Sequence, residues 1–281
     1  MNFRPLRLSD VLVVLALILS GCATGSGNAP QSAADEEEFN DPFEDTNRAI
    51  FNFNQFVDRN ALVPVAKAYR TVLPDPIRDS VRDFLYNLRA PLIFVNDTLQ
   101  GDFSRAGETL ARFALNSTIG ILGLVDVAGR WGITYHDQDF GVTFGVWGIP
   151  EGPYIIIPVL GPSDVRDFVG QVGEGFADPW NIVAADHHYV WVTFVRGGVS
   201  GIDQRSRYIE TLADIERTSL DYYATIRSLY RQRRAALIRH EQKDLPPNPA
   251  FSQNGAPASS AAGASAAVVI SQVPTVPEVS R

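Results

Sequence analysis

Apolar residues recur at helical spacing along most of this chain, and that spacing lapses in one long glycine-rich stretch. In "LPDPIRDSVRDFLYNLRAP", Ile77, Val81, Phe84, Leu85 and Leu88 form a stripe on one face. Arg78, Asp79, Arg82 and Asp83 fall on the other side, where a solvated face is expected. Asp75 is placed to cap this helix, with Pro76 at its first position. Pro91 should end or kink it, and "LIFVNDTLQ" carries on helically to a stop at Gly101. Ser104 is the expected cap of the next helix, "RAGETLARFALNSTIG".

Upstream, "NDPFEDTNRAIFNFNQFVD" starts in the same way, with Asp41 as cap and Pro42 at the first position. Phe43, Ile50 and Val57 share a face that Phe51, Phe53 and Phe56 widen beyond a normal stripe. Asn47 and Asn54 lie near the centre of that face, and Asn52 roughly opposite. The preferred reading is a buried helix whose asparagines cross-link neighbours. The other is a helix with lipid or partner contacts on several sides.

The pattern changes after residue 119. "IGILGLVDVAGRWGI" is apolar and glycine-rich around Asp126, and "DFGVTFGVWGIPEGPYIIIPVLGPSDVRDF" follows with glycines at 141, 145, 148, 152 and 161. Glycine at this density is costly in helices. Val142, Phe144 and Val146 alternate with small or polar residues, so 140–148 reads as a short extended hairpin or an open loop. Ser163 is the expected cap of a helix running from Asp164 to about Phe176. In "HHYVWVTFV" (187–195) period cannot separate a buried helix from a strand. Tyr208–Arg217 and Ser219–Glu241 read as amphipathic helices, the second ending in a basic "RQRRAALIRH" expected to be solvated, or else to dock an acidic partner.

The ends differ from this middle. "MNFRPLRLSD" carries two arginines, "VLVVLALIL" is a short apolar run, and Ser20 and Gly21 lead to Cys22, the only cysteine. This is the layout of a secretory leader over residues 1–21. "LSGC" resembles a bacterial lipobox, which makes Cys22 the site of lipid attachment; an ordinary leader that happens to carry a cysteine is the alternative. Ala23 after it leans toward outer-membrane sorting, again by resemblance. Residues 22–40 read as a flexible tether, 41–243 as the folded domain and 244–281 as a disordered Ala/Pro/Ser-rich tail. The chain carries a net charge of −8, or −9 without the leader, which argues against nucleic acid as a partner. After Cys22 no apolar run reaches the ~20 residues of a spanning helix.

Enzyme motifs are missing from the sequence. "GGVSG" at 197–201 lacks nucleophile-elbow spacing, and there is no P-loop, no H-E-x-x-H and no cofactor fingerprint. His136, Asp137 and Asp139 are the only metal-like grouping, and three polar residues in a loop are far more often just a loop. Neither a catalytic residue nor a cofactor is expected.

"NDPFEDTNRAIFNFN", "LQGD", "RFALNSTIGILGLVDVA", "FGVTFGVWGIPEGPYIIIPVLGPSDVRD" and "YYATIRSLYRQRR" together resemble the MlaA (VacJ) family of outer-membrane lipoproteins, in order, over about residues 40–240. The resemblance implies a mainly α fold: a ring-shaped bundle of amphipathic helices in the inner leaflet of the Gram-negative outer membrane. It implies a channel through which phospholipids mislocalised in the outer leaflet move inward to a soluble periplasmic carrier. It also implies a trimeric porin as neighbour. The stretch 140–148 matches the family's flexible hairpin beside the channel. On that basis Phe140, Val142, Phe144 and Trp147 are expected as apolar wall, and Gly141, Gly145 and Gly148 as hinge and packing positions. Asp164, Arg166, Asp167 and Asp178 are candidates for the polar path, and Asn52 and Phe53 for leaflet access. The competing reading is a lipoprotein that scaffolds an envelope complex without conducting lipid. The long tail departs from the family, and no role is carried over to it.

Overall fold

The computed structural model describes residues 41–241. The leader, Cys22, the tether and the tail from 244 lie outside the described residues. The described part is mainly helical, with one two-stranded antiparallel sheet. Helix α1 (Glu44–Val57) runs through a π-helical turn (Asp58–Leu62) straight into α2 (Val63–Val72). The turn lies immediately ahead of Pro64, which lacks an N–H and whose ring would strike the carbonyl four residues back in a regular helix. Widening the helix there lets the Val63 N–H reach the Asp58 carbonyl and carries the chain past the proline.

Asp41 does not cap α1. It is buried, and its carboxylate accepts hydrogen bonds from Asn47 Nδ2 (2.8 Å), from Arg227 Nη1 (2.8 Å) and from the Tyr223 hydroxyl. The buried face of α1 is Asn47, Phe51 and Asn54, while Phe43, Phe53 and Phe56 point outward. The asparagines cross-link neighbours as expected, but the helix is covered on this one face only rather than buried throughout. Strands β1 (Tyr154–Ile157) and β2 (Gly161–Asp164) pair with Tyr154 opposite Asp164 and Ile157 opposite Gly161. Asn47 donates to the Tyr154 carbonyl (3.0 Å) and accepts from the Ile156 N–H (2.9 Å). Asn54 does the same for the Ile157 carbonyl (3.0 Å) and the Val159 N–H (2.7 Å). Val159 sits at φ +68°, a conformation that a β-branched residue rarely adopts, and Asn54 holds it there.

Helix α3 (Asp75–Leu99) passes through Pro91 without ending, so Pro91 does not stop it. Its cap is Pro74, one residue ahead of the expected Asp75. Asp102, not Ser104, caps α4 (Phe103–Thr118) by accepting from the Arg105 N–H at 3.0 Å. A short turn of helix, α5 (Val127–Arg130), follows, capped by Asp126. The expected hairpin or loop at 140–148 is instead helix α6 (Phe140–Val146), capped by Asp139. Helix α7 (Val165–Ala177) is capped not by Ser163 but by Asp164, the last residue of β2, whose carboxylate accepts the Asp167 N–H at 2.7 Å. Then come α8 (Pro179–Asp186), α9 (Trp191–Arg207), α10 (Ile209–Thr218) and α11 (Tyr222–Ile238). The run 187–195 therefore resolves as a turn leading into helix.

The core that packs α1, the hairpin and α10–α11 is aromatic: Phe51, Tyr154, Ile156, Leu212, Tyr223, Ile226 and Tyr230. Elsewhere the usual distribution is inverted. Buried polar and charged residues outnumber buried apolar ones among the described residues, and all four tryptophans are well exposed. The basic end of α11 is not solvated: Arg233 and Arg234 are 3% and 2% exposed. The charged side of α3 is partly solvated, with the Asp79 side chain 49% exposed, while Arg207 binds Asp79 (3.0 Å) and the Arg78 carbonyl (2.9 Å). Meanwhile Val165, Phe168, Val169, Val172 and Phe176 make one exposed apolar face of α7. No described helix is long and apolar enough to cross a membrane.

Replacing Asn47 by Leu leaves two buried main-chain groups of β1 without partners, at about 1–3 kcal/mol for each. The expected result is a clear drop in melting temperature of the purified protein. An unchanged melting temperature would show that the hairpin is held by other means.

Candidate functional site

The centre of the molecule is a lattice of buried charges. Arg234 on α11 forms a fork onto Asp139, with Nη1 to Oδ2 at 2.5 Å and Nη2 to Oδ1 at 2.8 Å, and it also pairs with Asp167. The Asp167 carboxylate accepts in addition from the Tyr230 hydroxyl (2.5 Å) and Arg166 Nε (3.1 Å). Asp164 accepts from the Asp167 N–H (2.7 Å), the Tyr230 hydroxyl (3.2 Å) and Arg166 Nη2 (3.4 Å). Nearby, Asp137 lies between Arg89 (3.5 Å) and Arg233 (3.8 Å).

Burial and the neighbouring charges decide which of these acids ionise. Burial alone would raise Asp139, but the charge and hydrogen bonds of Arg234 and the Val142 N–H outweigh it and hold the carboxyl at about 2. Asp164 is pushed up to about 7 by burial and then by the charge of Asp167. Glu174 is pushed up to about 7 by burial, against the pull of Arg89. The two roles of α6 follow from this lattice. Asp139 fixes its start, and its glycines allow backbone-level contact. A Cβ at Gly141 would lie 2.4 Å from Asp167 Oδ1, and one at Gly170 would lie 2.5 Å from the Gly141 nitrogen. A Cβ at Gly145 would lie 2.5 Å from Ile238 Cδ1. These close approaches offset the low helix propensity of glycine and explain a helix where sequence pattern indicated a loop.

The expected site residues therefore separate into groups. Gly141, Val142 and Gly145 face α7 and α11, with Val142 fully buried against Ala236 and Leu237. Phe140, Phe144 and Trp147 form a row of rings with centroids 6.2 and 5.9 Å apart, and the Trp147 indole donates to the Leu99 carbonyl (3.0 Å). Gly148 ends this segment at φ +83°. Asp164, Arg166 and Asp167 belong to the buried lattice, and Asp178 stands apart from them. Asn52 lines an open groove of about 500 Å³ between α1 and α11, with Arg48, Phe56, Glu216 and Tyr222, and Phe53 is half exposed. His136 is not poised for metal: it is buried, with Nε2 2.9 Å from Asp97 and 3.2 Å from Thr109.

A second feature escaped the sequence. A cavity of about 220 Å³ opens between α3, α7, α8 and α9. Leu85, Leu88 and Leu92 give it one apolar wall, and Arg89, Glu174, Asp178 and Arg196 give it charge. Asp178 caps α8 through the Trp180 N–H (2.9 Å) and pairs with Arg196, which also reaches Asn181 Oδ1 (3.2 Å). Among the expected polar candidates only Asp178 lines this cavity. The available signal was Arg89, an arginine set between Leu85, Leu88 and Leu92 on the apolar stripe of α3. Glu174 gave a second one, as an acid between two glycines in the apolar second half of α7.

Comparison with known proteins places this architecture. The chain belongs to the MlaA lipoprotein family, whose model matches residues 39–237. The intermembrane phospholipid transport system lipoprotein MlaA of Escherichia coli (strain K12) is 32% identical over 236 residues, covering 81% of this chain and 87% of that protein. An uncharacterised protein of Rickettsia bellii (strain RML369-C) is 31% identical over 253 residues, 85% of this chain and 97% of that one. A solved structure, reported as the structural basis for maintenance of bacterial outer membrane lipid asymmetry, superposes with a TM-score of 0.64 at 32% identity. It covers 70% of this chain and 98% of the other.

Because Glu174 binds its proton more tightly in the fold than its ordinary value of 4.5, the folded state holds more protons than the unfolded one between about 4.5 and about 7. Stability falls as pH rises through that window. Melting temperatures measured from pH 5 to 8 should decline, and Glu174→Gln should flatten part of the slope. A slope untouched by the substitution would place the titrating group elsewhere.

Proposed function

We propose that this protein is a lipid-anchored component of the Gram-negative outer membrane that removes mislocalised phospholipids from the outer leaflet and passes them to a soluble periplasmic carrier. Attachment is through acyl chains on Cys22. The helices lie in the inner leaflet rather than spanning the bilayer, and a trimeric porin stands beside them. The protein conducts lipid and carries out no chemistry on it.

The observation that carries this reading is the amphipathic cavity beneath an apolar exterior. A lipid in transit needs an apolar wall for its chains and a polar path for its headgroup, and the leucines of α3 face Arg89, Glu174, Asp178 and Arg196 across one space. The exposed face of α7, together with Trp180, Ile182, Trp191 and Phe194, supplies an apolar surface for contact with bilayer. The name of the E. coli relative supports phospholipid as the cargo, and the report on the superposed structure supports a part in outer membrane lipid asymmetry. The polar candidates of the buried lattice then act as the rigid frame behind the path.

The cavity can be blocked where the fold has room. Gly197 lines it, and a Cβ there meets nothing within 4 Å, whereas bulk at Gly141 would strike Asp167. Outer-leaflet phospholipid should rise to the level of the deletion strain in cells carrying Gly197→Phe, with protein level and porin association intact. Cys22→Ala should fail to complement as well. If the plugged protein restores asymmetry, the conduction reading is lost, and a scaffolding role accounts for the family resemblance.

A further inference from the structure

The cavity described above holds two charges of opposite sign that do not touch. Arg89 donates from Nη2 to the Gln138 carbonyl (3.2 Å) and its Nε lies 3.5 Å from Asp137 Oδ1, while its Nη1 makes no hydrogen bond among the described residues although the side chain is only 15% exposed. Glu174 uses one carboxylate oxygen to accept the Phe140 N–H (2.9 Å). No ion pair joins Arg89 to Glu174, although both line the same space. The other two charges in the lining, Arg196 and Asp178, already satisfy one another. Arg89 has Asp137 behind it as a counter-ion and Glu174 has no base paired with it among the described residues, so across the cavity a cation and an ionisable acid are both left able to take a ligand.

We propose that this pair reads the headgroup of a zwitterionic phospholipid, with the phosphate on Arg89 and the ammonium on Glu174. The inference rests on the transport reading above and adds a headgroup preference to it. A guanidinium whose Nη1 is uncommitted is suited to a phosphate oxygen through a charge-assisted hydrogen bond. A carboxylate that lines the cavity with one oxygen outside any hydrogen bond among the described residues suits a primary ammonium, and an ammonium brought beside it favours the ionised form of an acid that burial otherwise raises. The lining as a whole, two arginines and two acids, is neutral, which matches a neutral zwitterion. A headgroup with phosphate but no cation leaves the Glu174 charge facing the anion and is disfavoured. The volume of about 220 Å³ suits a small polar group, with the leucines of α3 continuing toward the acyl chains.

The test uses the full-length lipidated protein in detergent, incubated with vesicles of equal parts phosphatidylethanolamine and phosphatidylglycerol. Bound lipid is then read by mass spectrometry after re-isolation. Wild type should retain phosphatidylethanolamine over phosphatidylglycerol by about tenfold, the scale of one charge-assisted hydrogen bond. Glu174→Gln keeps the acceptor for the Phe140 N–H and should bring the ratio toward one with total lipid retained. Arg89→Gln should lower both lipids together, and Gly197→Phe should remove the selective fraction. Equal retention of the two lipids by wild type, or an undiminished preference in Glu174→Gln, overturns this inference alone. Absence of both lipids from wild type overturns the transport reading with it. The wild-type comparison needs no variant to fold.

Discussion

Arg234 is the residue on which the rest of the arrangement hangs. One guanidinium binds the acid that starts α6 and an acid in the first turn of α7, from a position on the last helix. Three elements distant in sequence are thereby fixed around one cation that is 2% exposed. Burying a charge is tolerable only when partners surround it, so each buried acid calls for a buried base and the lattice extends outward to Arg166, Asp164 and Tyr230. The same logic recurs where Arg205 forks onto Asp58 at 2.8 and 2.9 Å, fixing the π-helical turn to α9. Removing Arg234 alone would strand Asp139 and Asp167 together, a much larger loss than the pair contributes when complete.

This ionic interior and the apolar exterior explain one another. The backbone of the glycine helix can approach α7 closely because polar side chains, not bulky apolar ones, fill the centre. Apolar residues that would form the core of a water-soluble bundle are left for the outside, on α7, on α8 and around Trp191. In the proposed setting those faces meet lipid. The charges that line the cavity then sit in a low-dielectric surround where each contact is stronger than it would be at a wet surface.

Helix content and the order of most elements were legible in the sequence, because periodicity survives whichever side the apolar face is turned to. Orientation was not. The ordinary rule assigns the basic end of α11 to solvent, and Arg233 and Arg234 are instead buried. Caps slipped by a residue or two wherever several candidates stood together, as with Asp102 over Ser104 and Asp164 over Ser163. Residues 140–148 were misread because glycine penalises an isolated helix, and only tertiary contact with Asp167, Gly170 and Ile238 reverses that. Of the cavity lining, the sequence points to Asp178. Arg89, Glu174 and Arg196 come together only through the crossing of α3, α7 and α9, a relation that no local pattern encodes.

The inverted interior also has a calorimetric consequence. The heat capacity gained on unfolding comes from apolar surface newly exposed to water and is reduced by polar surface. A chain that already displays its valines, phenylalanines and tryptophans when folded, and hides arginines and aspartates, has little apolar surface left to expose. Its unfolding heat capacity per residue therefore falls below the ~12–15 cal/mol/K of ordinary globular proteins. Its stability then varies with temperature along a shallow curve, so that cooling weakens the fold less than it weakens one built on an oily core.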